Sequence, residues 1–252
     1  MPKMEGLQGL DKLFFELASE NRLGILQELQ AEGLRMQELA RRLSLTDTES
    51  SRQLQRLSEA RLVQKQPDGK YGLTLYAKLV LDTASPLDFI SRYREYFLDH
   101  DACFLPHEFR ARLRELSGVR LISNTVETLN WVTQMFRDAQ KKIYMTVVGF
   151  DVNDEIMRQR VQEGLEVRWL MDDSFLPKAR LILRSDKLLP QMRSIPKVPG
   201  HVAVTDKKAL LTLPRIDGTL SYEAFVGEDA SFLKWAEDLY IYRWERAKPW
   251  HP

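Results

Sequence analysis

The chain has 252 residues, 44% of them hydrophobic and 29% charged, which is an ordinary globular composition. Its 37 basic and 36 acidic residues leave a formal charge of +1, which excludes a protein that coats nucleic acid by bulk charge. A single cysteine, Cys103, excludes an intramolecular disulfide framework and a zinc site built on two or four cysteines.

In chain order, Leu7, Leu10, Phe14 and Leu17 repeat at helical spacing. Ser19 is placed to cap a second helix with Ile25, Leu26 and Leu29 inward, and Gly33 is expected to end it. A third helix is expected over Met36 to Leu43. After a brief turn, Thr46 and Glu49 have the spacing of a capping box, so a fourth helix should start at Asp47 with Leu54 and Leu57 inward. Asp68-Gly69 between two short β-prone runs signals a hairpin. The polar run Asp82 to Pro86 is the best candidate for a domain boundary. Phe89, Tyr93, Tyr96 and Phe97 then share a helical face, and Pro106 is expected to start a helix through Leu116. Beyond Gly118 the pattern alternates. A helix over Val126 to Ala139 precedes a strand from Lys142 to Phe150. A helix over Ile156 to Glu163 is closed by Gly164, and a strand follows over Leu165 to Met171. That order predicts a parallel pair. A helix near Phe175 to Leu183, strands at His201–Thr205, Ala209–Leu213 and Phe225-Val226, and a terminal helix over Asp229 to Ala247 complete the pattern.

Helix, brief turn, capped helix and hairpin is the order of a winged helix-turn-helix, in which the second helix of the pair docks by one face and enters the DNA major groove by the other. Thr48, Ser51, Arg52, Gln55 and Arg56 fall opposite Leu54 and Leu57, and they are group types that reach base edges and phosphates. Arg41, Arg42, Lys65 and Lys70 add positive charge on the flanking turn and wing. The charge is directional: residues 1 to 40 carry a net of −3 and residues 41 to 65 a net of +3. A solvated face on a protein-contact module is the competing reading. A module with few phosphate contacts binds weakly alone, so a dimer on two half-sites is expected.

The stretch Glu38-Leu-Ala-Arg-Arg-Leu-Ser-Leu-Thr46, with Ser51-Arg-Gln-Leu-Gln-Arg-Leu-Ser-Glu-Ala-Arg61-Leu-Val63, resembles ArsR-like and MarR-like winged-helix regulators. Arg61 departs from the pattern, which usually has glycine there. Tyr96-Phe-Leu-Asp-His100-Asp101 followed by Pro106 resembles archaeal regulators of the methanogenesis and filament type. So do Leu213-Pro-Arg-Ile-Asp217-Gly218, Phe232-Leu-Lys-Trp235-Ala-Glu-Asp-Leu-Tyr240 and Trp244. The resemblance implies an archaeal transcription regulator that dimerises. It also implies an α/β domain similar to that of TrmB-like regulators, which share a phospholipase-D-like fold.

Phospholipase-D chemistry needs His-x-Lys-x4-Asp, and the nearest stretch is His201-Val-Ala203-Val-Thr-Asp206. The missing lysine removes the cation that would hold a transferring phosphate. No Gly-x-Ser-x-Gly, P-loop or His-Glu-x-x-His is present, so no catalytic residue is expected. A ligand pocket is expected at the carboxyl ends of the parallel strands, near Gly149, Phe150, Asp151, Asp172 and Asp173. Asn124, Thr125, Trp131, Tyr144, Arg215 and Tyr222 are candidates to join them, although helix capping and core packing account for several of these residues equally well. Asp99, His100, Asp101, Cys103 and His107 are metal-ligand types at short spacing, but a helix end is the simpler role for them. No metal and no cofactor are expected.

The expected fold class is α+β in an N-terminal winged helix-turn-helix at residues 1–85, then a helical linker or dimerisation segment at 86–117, then an α/β, phospholipase-D-like sensor at 118–252. The expected function is a cytoplasmic, dimeric transcription regulator. Its partners would be a double-stranded DNA operator, a small-molecule effector of unknown identity and a second copy, with no membrane. A phosphodiesterase or nuclease with an appended winged helix, and a protein-interaction adaptor, are the alternatives.

Overall fold

A computed structural model describes residues 9–147, 154–183, 190–198 and 200–252. Leu7, Gly149, Phe150 and Asp151 lie outside the described residues. The chain divides into two compact units, 1–85 and 86–252.

The first unit is helical with a small hairpin. Helices α1 (Leu10–Leu17), α2 (Glu20–Ala31), α3 (Met36–Arg42) and α4 (Asp47–Glu59) precede strands β1 (Val63–Lys65) and β2 (Tyr71–Leu73), then α5 (Leu75–Arg92). Ile25, Leu26, Leu29, Leu39, Leu54, Leu57 and Leu62 build the core. The Thr46 hydroxyl accepts the Glu49 N–H at 3.2 Å and the Glu49 carboxylate accepts the Thr46 N–H at 3.0 Å, so the expected capping box starts α4. Ser19 stands at the N-cap of α2, but its side chain makes no cap bond. Gly33 does not end α2 in a left-handed turn. The chain leaves α2 through an extended Glu32 so that Leu34 can pair with Tyr71, which adds a third short segment to the hairpin. Asp68-Gly69 does turn the hairpin, with Gly69 at φ +83°.

The end of α4 is a Schellman arrangement. The Leu62 N–H donates to the Leu57 carbonyl at 2.8 Å and the Arg61 N–H to the Ser58 carbonyl at 3.0 Å. Arg61 therefore adopts φ +58°, the conformation that glycine takes without steric cost. Replacing Arg61 by glycine is expected to stabilise this unit by about 0.5–1 kcal/mol, read as a higher urea midpoint by circular dichroism.

The boundary candidate Asp82 to Pro86 lies inside α5, where the helix runs on through Pro86. A proline inside a helix removes one backbone donor and crowds the carbonyl of the preceding turn, and the helix continues past it to Arg92. The Thr83 hydroxyl donates to the Leu79 carbonyl at 2.8 Å within the same helix.

The second unit is three layers around an eight-stranded sheet of order β10-β6-β5-β4-β7-β8-β9-β3. The strands are β3 (Arg120–Ile122), β4 (Lys142–Val147), β5 (Glu166–Asp172), β6 (Gln191–Ile195), β7 (Val202–Thr205), β8 (Ala209–Leu211), β9 (Ala224–Gly227) and β10 (Lys248–Pro249). β4, β5 and β6 are parallel, as the strand–helix–Gly164–strand pattern required for the first two, and the other pairings are antiparallel. The expected strands appear near their expected bounds, while β3, β6 and β10 carried no expectation.

Alternation along the strands sorts the two faces. Ile143, Met145 and Val147 with Val167, Trp169 and Met171 face α8 (Thr125–Asp138), α9 (Asp154–Gln162) and α10 (Leu176–Leu183). Tyr144, Leu170, Val202, Val204 and Phe225 face α11 (Ala230–Glu245) and the segment before the sheet. That segment was expected to be a linker, yet Phe89, Tyr96, Phe109, Leu113 and Leu116 are buried in the same core. It contains α6 (Arg94–Asp99) and α7 (His107–Arg110). The helix expected from Pro106 to Leu116 is only one α-helical turn, and a separate 3-10 turn covers Leu113–Leu116. Among the described residues, no helix is long and apolar enough to cross a membrane.

Candidate functional sites

In the first unit, α4 divides cleanly. Ser50, Gln53, Leu54 and Leu57 are buried, and Thr48, Ser51, Arg52 and Gln55 are exposed on the opposite side. Arg41, Arg61 and Lys65 are exposed as well. The other expected basic residues already have partners. Arg42 bonds Glu28 at 2.9 Å and Glu32 at 2.7 Å, both on or next to α2. Arg56 bonds Glu16 of α1 at 2.7 Å and lies 5.1 Å from the centre of the Phe15 ring. Lys65 sits over the Tyr71 ring, Lys70 is half-buried, and the Gln55 amide donates to Glu59 at 3.0 Å. The exposed members of the expected set therefore lie on the outer face of α4, the Arg41 turn and the start of the hairpin. Sequence spacing did not show Arg22. It is buried, and its guanidinium holds α1 to α4 through Glu16 and Gln53.

In the second unit, the expected ligand residues are dispersed. Asn124 caps α8 by accepting the Glu127 N–H at 3.1 Å. The Asp172 carboxylate accepts the Ser174 N–H at 3.0 Å and the Val198 N–H at 2.8 Å. Burial acts to raise its pKa, but these bonds and that from the Ser174 hydroxyl outweigh it and hold the carboxyl below its ordinary value. Asp173 is exposed. Tyr144 faces α11. Its hydroxyl donates to Glu166 at 2.8 Å, and burial, assisted by that carboxylate, pushes its pKa up to about 12. Arg215 pairs with Glu223 at 2.7 Å. Trp131 lies between Arg120 and Lys208, at 5.1 and 4.9 Å from ring centre to cation.

Among the described residues of the expected set, Tyr222 lines a cavity. This cavity, of about 180 Å³, lies between α8 and the sheet. Leu129, Val132 and Phe136 of α8 form one wall, and Met145, Ala203 and Leu210 of the strands form another. Leu220 and Tyr222 stand at the exposed side. His201, just before β7, lines it too. Burial holds the His201 imidazole below the ordinary histidine pKa, and the charge of Arg243 acts in the same direction. The ring is therefore neutral near pH 7. Ala203 faces the cavity where a phosphoryl-transfer site would need its lysine.

The His100 imidazole is buried and stacked on Tyr96, with centroids 3.8 Å apart. Its two nitrogens contact the Tyr96 carbonyl and the Ser221 hydroxyl, each at 2.9 Å. The Asp101 carboxylate caps the turn that carries Cys103. Among the described residues, no group of three or more His, Cys, Asp or Glu side chains gathers where it could hold a metal ion.

A family model described as the HVO_A0261 N-terminal domain matches residues 10–93, about a third of the chain. No curated protein matches the chain. Among solved structures, similarity is found to TrmBL2, an archaeal chromatin protein described as showing a novel mode of DNA binding, with 18% identity over 95% of this chain and 99% of that one and a TM-score of 0.44. NucT from Helicobacter pylori is similar to 52% of this chain over 98% of its own, with 15% identity and a TM-score of 0.43. HlyU from Vibrio cholerae N16961 is similar to 37% of this chain over 97% of its own, with 25% identity and a TM-score of 0.29.

Proposed function

We propose that the protein is a DNA-binding transcription regulator. Residues 1–85 form a winged helix-turn-helix that reads a double-stranded operator through α4. Residues 118–252, built on the core that 86–117 completes, form an α/β sensor domain of phospholipase-D-like type that binds a small molecule. The observation that carries this reading is the division of α4. One face is buried, and the other presents hydroxyl, guanidinium and amide groups to solvent, flanked by Arg41, Arg61 and Lys65. Such a helix suits the major groove, where Arg and Gln side chains bond base edges in pairs.

A homodimer fits the apolar surface of the same unit. Leu75 is 85% exposed and Leu79 66%, with Tyr76, Leu10 and Phe14 about half exposed. A second copy of the chain covers such a face at low cost in polar desolvation. The effector changes operator affinity only by binding one arrangement of the dimer more tightly than the other.

The test is a double substitution, Arg52→Ala with Gln55→Ala, measured by fluorescence anisotropy on duplex DNA from upstream of the protein's own gene. Affinity is expected to fall about 100-fold or more while the circular dichroism spectrum is unchanged. Unchanged affinity would remove α4 from the interface and with it this reading.

A further inference from the structure

The cavity beneath α8 has a definite chemistry. Most of its polar lining atoms are already committed. The Thr128 hydroxyl donates to the Tyr222 carbonyl at 2.8 Å, and the Thr146 hydroxyl accepts the Val202 N–H at 2.9 Å. The Thr212 hydroxyl accepts the His201 N–H at 3.1 Å. The Ser221 hydroxyl contacts His100 at 2.9 Å and accepts the Glu223 N–H at 3.1 Å. The Tyr222 hydroxyl and the proton of the Thr212 hydroxyl have no hydrogen-bond partner among the described residues, and the same is true of part of the His201 ring. The His201 Nδ1 lies 3.5 Å from the Thr146 carbonyl, at the limit of a hydrogen bond, and its Nε2 has no partner among the described residues. No charged side chain of the described residues lines the cavity.

Size sets a second limit. A cavity of about 180 Å³ compares with the ~150 Å³ apolar cavity that takes a benzene ring. Among the described residues the walls are aliphatic and aromatic with a few neutral polar groups, so an ion would lose its hydration there without a counter-charge. They also disfavour a sugar, most of whose hydroxyls would face apolar walls.

We propose that this cavity binds a neutral, single-ring aromatic molecule bearing one hydroxyl, a simple phenol, with the hydroxyl donating to the His201 imidazole and the ring seated against Val132, Phe136 and Met145. The proposal rests on the reading of the second unit as a sensor, and it names the ligand class of that sensor. His201 is neutral at working pH, so its bare nitrogen is an acceptor that matches a phenol proton.

The experiment is isothermal titration of the full chain with four probes: p-cresol, toluene, benzoate and glucose. p-Cresol is expected to bind one to one, more tightly than the other three. Two variants locate it. Leu129→Trp changes a partly exposed residue at the mouth and is expected to weaken p-cresol at least tenfold without altering the unfolding midpoint. His201→Phe is expected to weaken p-cresol at least fivefold and leave toluene unchanged. Failure of p-cresol to bind, equal binding by both variants, or tighter binding of benzoate or glucose each overturns the proposal. Operator affinity, measured in parallel, separates the two readings. Tight p-cresol binding that leaves operator affinity unchanged supports the ligand class and counts against the sensor. Tighter glucose or benzoate binding that shifts operator affinity keeps the sensor and overturns the class.

Discussion

Replacing Arg22 by methionine is expected to cost the first unit about 3 kcal/mol. The side chain is buried at 6% exposure in a unit with a modest core. Its Nε donates to the Glu16 carbonyl at 2.8 Å and meets the Glu16 carboxylate at 3.0 Å. Its Nη2 donates to the Phe15 carbonyl at 2.7 Å and its Nη1 to the Gln53 amide oxygen at 3.2 Å. Phe15 and Glu16 are in the last turn of α1, where carbonyls have no partners in the helix and a cation is favourable. One planar guanidinium therefore closes α1 and fixes the inner face of α4. Methionine matches the length and supplies none of the donors, so two carbonyls and a buried amide oxygen lose their partners. Glu16 keeps Arg56, which limits the loss. Arg22→Lys should recover only part, because an ammonium cannot fork to all four acceptors. All five tryptophans lie in the second unit, so their fluorescence reports that unit alone. The expected result is an early loss of helical circular dichroism in urea with the fluorescence midpoint unmoved. A fluorescence shift as large as the dichroism shift would place the contribution of Arg22 elsewhere.

That network shows which features pattern reading can reach. The α4 start was legible because a capping box is local: Thr46 and Glu49 satisfy each other within one turn. The parallel β4–β5 pair was legible because both strands are rich in apolar residues and Gly164, at φ +84°, ends the helix between them. Long-range polar contacts leave no periodicity. Arg22 and Gln53 are 31 residues apart, and each sits where spacing alone suggests a surface residue. A punctuation residue misled at Gly33, which did not provide a left-handed stop because pairing of Leu34 with Tyr71 set the chain path there. The run Asp82 to Pro86 lies within α5, while the two compact units divide between residues 85 and 86. The ligand candidates were taken from strand ends and capping positions, and in the structure several of those residues cap or pair locally. The cavity instead lies where β4, β7 and β8 meet α8. His201 was identified through a degenerate catalytic pattern, and it is the side chain there with a nitrogen left over.

Replacing Phe225 by alanine is expected to destabilise the second unit by about 4 kcal/mol. Phe225 stands on β9 at 1% exposure, and four rings of the preceding segment converge on it. Tyr96 lies at 4.6 Å between centroids, Tyr93 at 5.0 Å, Phe89 at 5.3 Å and Phe97 at 6.1 Å. Edge and tilted contacts of this kind add to plain burial. The polar ends of the same rings are also fixed: the Tyr93 hydroxyl donates to the Val119 carbonyl at 2.8 Å, and the Leu213 N–H donates to the Tyr96 hydroxyl at 2.9 Å. Such a cluster cannot collapse into the space left by a lost ring without breaking those bonds, so the cavity term is close to its full size. Phe225→Leu keeps most of the volume and should cost about 1–1.5 kcal/mol. Here tryptophan fluorescence is the readout, and its urea midpoint is expected to fall in the order wild type, leucine, alanine. The aromatic face of residues 89 to 97 is thus consumed within its own unit, which leaves the exposed apolar residues of α1 and the start of α5 for the proposed second copy. An alanine variant within about 1 kcal/mol of wild type would mean that the cluster is not packed as described, and would return those rings to the list of surfaces open to a second copy.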